Sequence, residues 1–417
     1  MLAPSTVENA MNDDSTLLVT VTGHDRPGIS ARLLSTLSVF PVTVVDLEQV
    51  VLAGRLVLGT VIDVDEGVAP GVSRGRVFEE IRTALDKTAI DLEVEVEYSA
   101  GNGRVKGVAG DRLRVTVLAA PLRPGALGAL TSCVARAGSN IERIERLSGY
   151  PVTSVEMDIS GGDTEQLRAE LAMEASTQGV DVAVQASGLH RRGKHLIVMD
   201  VDSTLIQGEV IELLAAHAGC ADEIARVTDE AMRGELDFEE SLRRRVALLE
   251  GLDASAMDRV RDDIQLTPGA RTLIRTLKRI GYECGIVSGG FTQITDGLAE
   301  SLGLDYSAAN TLEVVDGKLT GKLVGPIIDR KGKAVTLEQF ATAAGVPLSQ
   351  TVAIGDGAND LDMLQAAGLG VAFNAKPVVR KQADTAVNVP YLDTIAYILG
   401  VTREEIEEAD LNDGYHD

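Results

Sequence analysis

Two aspartates, Asp200 and Asp202, follow the unbroken apolar run Leu196-Ile197-Val198-Met199. Upstream the run is bounded by the polar stretch His190-Arg191-Arg192-Gly193-Lys194-His195. Such a run predicts a central strand of a parallel sheet, buried on both faces. In open α/β sheets ligands sit beyond the carboxyl ends of the strands, so both acids leave the sheet where chemistry is usually done. Two carboxylates about 4 Å apart repel by about 4 kcal/mol at an effective dielectric of ~20, and a shared hard cation removes that repulsion. Mg2+ suits the task, since it takes one or two carboxylates together with a substrate phosphate. Taken alone, the stretch would equally suit a strand followed by an Asp-rich turn, because Asp, Ser and Thr favour turns. Its company decides between the two.

Two further apolar runs deliver polar groups in the same way. Cys284-Gly285-Ile286-Val287 leads into Ser288-Gly289-Gly290-Phe291, and Thr351-Val352-Ala353-Ile354 into Gly355-Asp356-Gly357-Ala358-Asn359-Asp360. A hydroxyl and a glycine N–H at a strand-to-helix turn can hold phosphate oxygens. Asp356 is a third candidate acid for the cation. Residues 207–268 carry helical patterning between the first two of these strands, with helices expected at 209–218, at 221–249 and on to 264. That is far longer than one crossover and predicts a cap over the crevice. On the second of these helices Glu239 faces Arg243 and Glu240 faces Arg244 at i,i+4. Arg245 faces only Ser241 and lies on the apolar stripe Phe238, Leu242, Val246, Leu249. An unpaired arginine on the inward side needs an anion, and its planar fork suits a carboxylate.

The elements that position these groups belong to a chain of 417 residues, long enough for two to four domains. A hydrophobic fraction of 45% excludes global disorder. No apolar run approaches the ~20 residues of a membrane span. Residues 1–16 carry Glu8, Asp13 and Asp14 without an apolar core, so no signal peptide is expected. Cys133, Cys220 and Cys284 are scattered without metal-ligand spacing and are expected as free thiols of a cytoplasmic protein. A formal charge of −24 argues against nucleic acid as a partner, which would demand a basic face. It also means that an anion must be attracted locally, by a metal, a lysine and backbone N–H groups.

Ahead of the catalytic half, a strand at 17–22 enters the turn Gly23-His24-Asp25-Arg26-Pro27-Gly28-Ile29, which opens a helix ending near 40. Strands at 42–51 and 56–63, a helix at 72–87 and a strand at 90–98 complete a ferredoxin-like βαββαβ order. A Gly-rich linker at 99–110 follows. The order then recurs, with Arg123-Pro124-Gly125 repeating Arg26-Pro27-Gly28, which indicates an internal duplication. Near the other end, Asp316-Gly317 marks the turn of a hairpin at 312–324. The acidic stretch from 404 onward is expected to be a solvated helix and tail.

The glycine loop at 23–29 resembles the ligand loop of ACT domains, small modules that bind amino acids. The resemblance makes Gly23, Asp25 and Gly28 candidate contacts for an effector, serine being the expected one. The second copy lacks the first glycine, His24 and Asp25, and is expected to fold and dimerise rather than bind. The three strand-end motifs resemble the haloacid-dehalogenase-like phosphatases over residues 189–400, and in detail the phosphoserine phosphatases. With tandem ACT-like modules, the chain is similar to the two-regulatory-domain form found in actinobacteria.

The resemblance implies an α/β fold: a Rossmann-like parallel-sheet phosphatase core with a helical cap, preceded by two ferredoxin-like βαββαβ (ACT) domains. Domains are expected at 15–99, 110–186 and 190–402, with the cap inserted at about 207–268. Asp200, first to emerge from its strand, is the expected nucleophile and Asp202 the general acid and base. Lys333, whose distance before Asp356 matches the family better than that of Lys331, would stabilise the transferring phosphate. Mg2+ would be held by Asp200, the Asp202 backbone carbonyl and Asp356. Substrate contacts would come from Ser288, Gly289, Lys333 and Asn359 at the phosphate, Glu209 at the amine and Arg245 at the carboxylate, with Met232 and Phe238 packing over the ligand. Asp360 would steady its turn. The implied reaction converts O-phospho-L-serine to L-serine and phosphate, in a homodimer or larger assembly without membrane or nucleic-acid partners. Hydrolysis of another small phosphomonoester, or amino-acid sensing with an inert catalytic half, are the alternatives; intact Asp200, Asp202, Lys333 and Asp356 weigh against the second.

Overall fold

A computed structural model describes residues 16–64, 73–101, 112–188, 191, 193–233 and 235–415. The chain divides into two compact units, Met1–Ala109 and Gly110–Asp417. The N-terminal segment, most of the Gly-rich linker, parts of the basic stretch before Leu196 and the side chain of Met232 lie outside the described residues.

In the first unit, β1 (Leu17–His24), α1 (Ile29–Leu37), β2 (Val42–Leu52), β3 (Arg55–Val64), α2 (Arg74–Leu92) and β4 (Glu95–Ala100) follow one another. They form an antiparallel sheet in the order β2-β3-β1-β4. Alternation along β1 buries Leu17, Val19 and Val21 in one core with Leu33, Phe78 and Ile81 of the helices. Gly28 precedes α1 at φ 96°, where an L side chain would be strained. At Gly23 a Cβ would come within 2.7 Å of the Val94 side chain. The last strand differs from expectation. Ile90, Leu92, Val94 and Val96 alternate like a strand, yet α2 runs on to Leu92, because Leu85 and Ala89 keep its final turns in the core. Glu93 ends the helix in the left-handed conformation, φ 50°.

The second unit starts with the same topology. β5 (Arg112–Ala119), α3 (Pro124–Arg136), β6 (Asn140–Ser148), β7 (Thr153–Ser160), α4 (Thr164–Gln178) and β8 (Asp181–Ala186) give the order β6-β7-β5-β8. The two Arg-Pro-Gly copies open their helices differently, since α3 begins at Pro124 and takes Gly125 inside, while α1 begins after Gly28.

β8 does not end this sheet. It pairs antiparallel with β15 (Thr385–Val387), so the module continues into a second run of strands. These are β9 (Leu196–Asp200), β10 (Glu283–Phe291), β11 (Tyr306–Val315), β12 (Lys318–Val324), β13 (Thr351–Gly355) and β14 (Gly370–Phe373), in the order β12-β11-β10-β9-β13-β14-β15. All neighbours in this run are parallel except the β11–β12 hairpin. Asp316 and Gly317 turn that hairpin at φ 52° and 74°, the backbone that Asp-Gly favours. Every residue of β9 is buried, which accounts for its continuous apolar run.

Polar contacts reinforce the joint between the module and the parallel strands. The Asp181 carboxylate accepts from the Asn388 N–H at 2.6 Å and its side-chain amide at 2.5 Å. Arg191 forks onto Glu156 and donates to the Ile398 carbonyl at 3.0 Å, with both charged side chains almost wholly buried.

Four helices form the cap between β9 and β10: α5 (Val210–Ala218), α6 (Ala221–Met232), α7 (Phe238–Ala247) and α8 (Ala256–Asp263). The single helix expected at 221–249 is therefore two. Asp237 starts the second, its carboxylate accepting the Glu240 N–H at 2.8 Å. The segments entering and leaving the cap meet in an isolated antiparallel bridge between Ile206 and Leu266, with Gln207 donating to the Gln265 carbonyl at 2.8 Å.

The acidic C-terminal helix, Arg403–Asn412, is not merely solvated. Ile406 is buried, Asp410 accepts from Arg275 and Arg279 at 2.5 Å each, and the Arg275 guanidinium lies 4.2 Å over the Tyr415 ring. Its partners lie more than a hundred residues upstream and leave no local trace in the sequence.

Candidate active site

Strands β10, β9 and β13 are neighbours, so the three polar strand ends meet along one edge of the sheet. They form the floor of a cavity of about 440 Å3 whose roof comes from α6 and α7 of the cap. Gly355 and Gly357 permit the crowding on the β13 side: a Cβ would fall 2.5 Å from the Asp360 carboxyl carbon at the first and 2.0 Å from Asn359 Oδ1 at the second.

Asp200, last in β9 and 2% exposed, accepts from Lys333 Nζ at 2.6 Å. Lys333 also donates to Asp360 Oδ1 at 2.6 Å. It stands in the first turn of the helix Arg330–Ala343, started by Asp329, whose carboxylate accepts the Gly332 N–H at 2.7 Å. Lys331 is exposed. Burial lowers the Lys333 pKa, but the charges of Asp200 and Asp360 outweigh it, and the net direction is upward. Burial, then the Asp360 charge, hold the Asp200 carboxyl well above its ordinary range. The same two causes, in the same order, raise Asp356 to about 6.

Asp200, Asp356 and Asp360 each offer an oxygen within 4.8 Å of the others. Three carboxylates against one ammonium leave two negative charges, and every donor is a hard oxygen. The set fits a divalent cation. Asp360 steadies its turn, accepting the Gly357 N–H at 2.9 Å, and it also reaches Lys333, which turn chemistry alone did not reveal.

The Asp202 side chain points elsewhere. Its Oδ1 accepts the Val210 N–H at the start of α5 at 2.7 Å, and its Oδ2 accepts the Ser288 hydroxyl at 3.1 Å. Burial raises its pKa, and the Val210 N–H is the largest opposing influence. Ser288 is wholly buried, with its hydroxyl committed to Asp202 and to the Gly290 N–H at 2.7 Å. Gly289, Lys333 and Asn359 line the cavity. The Gly289 carbonyl is held by buried Asn310 at 2.8 Å, and Asn310 also accepts the Ile328 N–H at 2.8 Å. Sequence reasoning passed over Asn310, a polar residue inside β11 whose partners come from β10 and from the segment that follows β12.

The cap contributes Phe238, whose ring would stand 3.2 Å from a Cβ at Gly289. Glu239–Arg243 and Glu240–Arg244 pair at 2.9 and 2.6 Å. Arg245 lines the cavity, and its Nε is buried without a partner. Burial lowers its pKa, with Glu209 the foremost opposing charge. Glu209, also lining the cavity, is raised by burial first and the Asp202 charge second, while Arg245 and Lys376 pull it back. Gly23, Asp25 and Gly28 belong to the first unit. There Asp25 is exposed, and its N–H donates to the Gly54 carbonyl at 2.9 Å.

Residues 197–365 match the model of the haloacid dehalogenase-like hydrolases, and residues 15–99 and 113–185 each match an ACT domain. Phosphoserine phosphatase of Streptomyces coelicolor is 60% identical over 96% of this chain and 95% of its own length. Phosphoserine phosphatase SerB2 of Mycobacterium tuberculosis is 49% identical over 95% of this chain and 96% of its own. Among solved structures, a HAD-family hydrolase of Salmonella enterica superposes with a TM-score of 0.62 at 26% identity, covering 69% of this chain and 99% of that one.

Proposed function

The chain belongs to the haloacid dehalogenase-like hydrolases that carry tandem ACT domains, and we propose that it is a phosphoserine phosphatase of serine biosynthesis, yielding L-serine and phosphate through an aspartyl-phosphate. Within the cavity, the observation that carries this substrate is the placing of Arg245, which has no carboxylate partner among the described residues, and Glu209 together with Asp200. A phosphate, a carboxylate and an ammonium group would each find a complement there. A phosphate-release assay across phosphoserine, phosphoethanolamine and p-nitrophenyl phosphate tests the reading. Phosphoserine should be preferred, and equal turnover of all three would count against it.

In this mechanism an Asp200 oxygen attacks phosphorus as the bond to the serine oxygen breaks. Protonated Asp202 gives its proton to that leaving oxygen, and its upward pKa shift helps it to hold the proton beforehand. The resulting Asp202 carboxylate then takes a proton from water, whose oxygen attacks the aspartyl-phosphate. Phosphate leaves and the Asp200 carboxylate is restored. Lys333 balances charge on the transferring group, while Gly289 and Asn359 orient it. Ser288 acts here by way of Asp202 unless its hydroxyl turns to the phosphate. Mg2+, held by Asp200, Asp356 and the Asp202 backbone carbonyl, would neutralise the meeting of anionic ester and acids.

The domains are taken as 15–99, 110–186 and 190–402. The loop with Gly23, Asp25 and Gly28 binds an amino-acid effector, serine, in this proposal. Calorimetric titration of serine into the full chain, with Asp25→Ala as control, checks it. Val44, Leu47 and Val50 stand exposed on the edge strand β2, which supports assembly as a homodimer or larger. No described helix is long and apolar enough to cross a membrane, and the enzyme is proposed to work in the cytoplasm.

A further inference from the structure

Ser241 lies one helical turn before Arg245 on α7, so the two side chains share a face. It is 2% exposed, it lines the cavity, and its hydroxyl oxygen has no hydrogen-bond partner among the described residues. A buried orphan hydroxyl is unusual, because leaving one unsatisfied costs about 1–3 kcal/mol. Helical serines and threonines have a ready remedy, a bond to the carbonyl four residues back. Thr36, Ser132, Thr177, Thr228 and Thr342 use it, donating to the carbonyls of Arg32, Gly128, Met173, Ile224 and Glu338 at 2.7–3.0 Å, and the buried helical Thr276, which also lacks a partner, lies outside the cavity that Ser241 lines. Asp237 offers Ser241 the equivalent carbonyl, which accepts the Ser241 N–H at 3.0 Å. The hydroxyl forgoes it. The second orphan on this face is Arg245 Nε.

We propose that Ser241 is a specificity residue, donating its hydroxyl proton to the same substrate carboxylate that Arg245 holds. Two donors one turn apart would grip the carboxylate at two points and fix the amino-acid moiety against rotation. The ester oxygen would then stand at a constant place over Asp200 and Asp202. The inference rests on the phosphoserine reading of the cavity and deepens it: Ser241 distinguishes esters with a carboxylate from those without one.

Ser241→Ala is the test, measured by steady-state kinetics on phosphoserine, phosphoethanolamine and p-nitrophenyl phosphate, together with thermal unfolding of the ligand-free protein. A hydrogen bond to a charged group corresponds to roughly 10- to 100-fold in binding, so kcat/KM for phosphoserine should fall by at least about tenfold. The two esters lacking a carboxylate should stay within about twofold of wild type. Since the hydroxyl has no partner to lose, the melting temperature should hold or rise. In an Arg245→Met background the effect of Ser241→Ala should shrink, as for two groups sharing one ligand. An equal loss on all three esters, no loss on any, or a lowered melting temperature would overturn the assignment of Ser241 alone. A wild-type enzyme indifferent between phosphoserine and phosphoethanolamine would instead overturn the reading on which it rests.

Discussion

At the floor of the cavity Lys333 is clamped between Asp200 and Asp360 at 2.6 Å each, whereas at the roof Arg245 has no carboxylate partner among the described residues. Lys333 is buried and Arg245 half-buried. One has its charge answered within the protein, and the other is kept waiting. The floor must act on any phosphate ester and gains from being fixed before substrate arrives. The roof must tell one ester from another, and unpaired polar groups there reject any ligand that fails to complete them. Preorganisation and selectivity thus occupy opposite walls of a single space.

The sharpest way to break this comparison is at the floor. Asp200→Asn removes the proposed nucleophile, and turnover of every ester should fall by about 10^4-fold or more. A loss confined to phosphoserine would mean that the floor also selects. Stability offers the next contrast. Lys333→Met strands two buried acids and should destabilise the protein by about 3 kcal/mol or more, read from denaturant unfolding at neutral pH. Arg245→Met strands no partner and should leave the unfolding midpoint nearly unchanged. If both variants lost equal stability, the roof cation would have a structural partner after all.

In selectivity between esters the order reverses. Arg245→Met should raise KM for phosphoserine about 30-fold or more and leave p-nitrophenyl phosphate turnover close to wild type. The smallest expected effect is on pH. With Asp356 raised from 3.8 to about 6, the metal-free fold holds an extra proton. That group's contribution to stability is full below the unfolded value and fades as pH rises through about 6. A cation must displace the proton, so the rise in melting temperature given by Mg2+ should grow from pH 5 to 7. A rise independent of pH would separate Asp356 from the metal.

The floor was legible in the sequence because fully buried strands are written as unbroken apolar runs, and the polar groups that end them stand out. Asp200, Asp202, Ser288 and Asp356 are visible on this ground alone. The roof was half legible: Arg245 is exposed as the odd arginine by the i,i+4 pairing of its neighbours, but Ser241 on the same face looks like any helical serine. Nothing local separates a hydroxyl that back-bonds from one that declines to. The bond from Lys333 to Asp360, and Asn310 altogether, were hidden for a related reason, since the partners Lys333, Gly289 and Ile328 come from remote segments. The break between α6 and α7 and the overrun of α2 show the other limit, where packing overrules a periodicity that suits two kinds of element.

The eleven-stranded sheet has a consequence for anyone wishing to re-engineer the chain. A cut at residue 187 would bare the rim of the short strand Thr385–Val387 and leave Arg191 without its glutamate. A cut near residue 109 would sever neither. A portable catalytic half therefore begins at Arg112, taking the second module with it as part of its own framework, and a foreign sensor should be grafted ahead of that point.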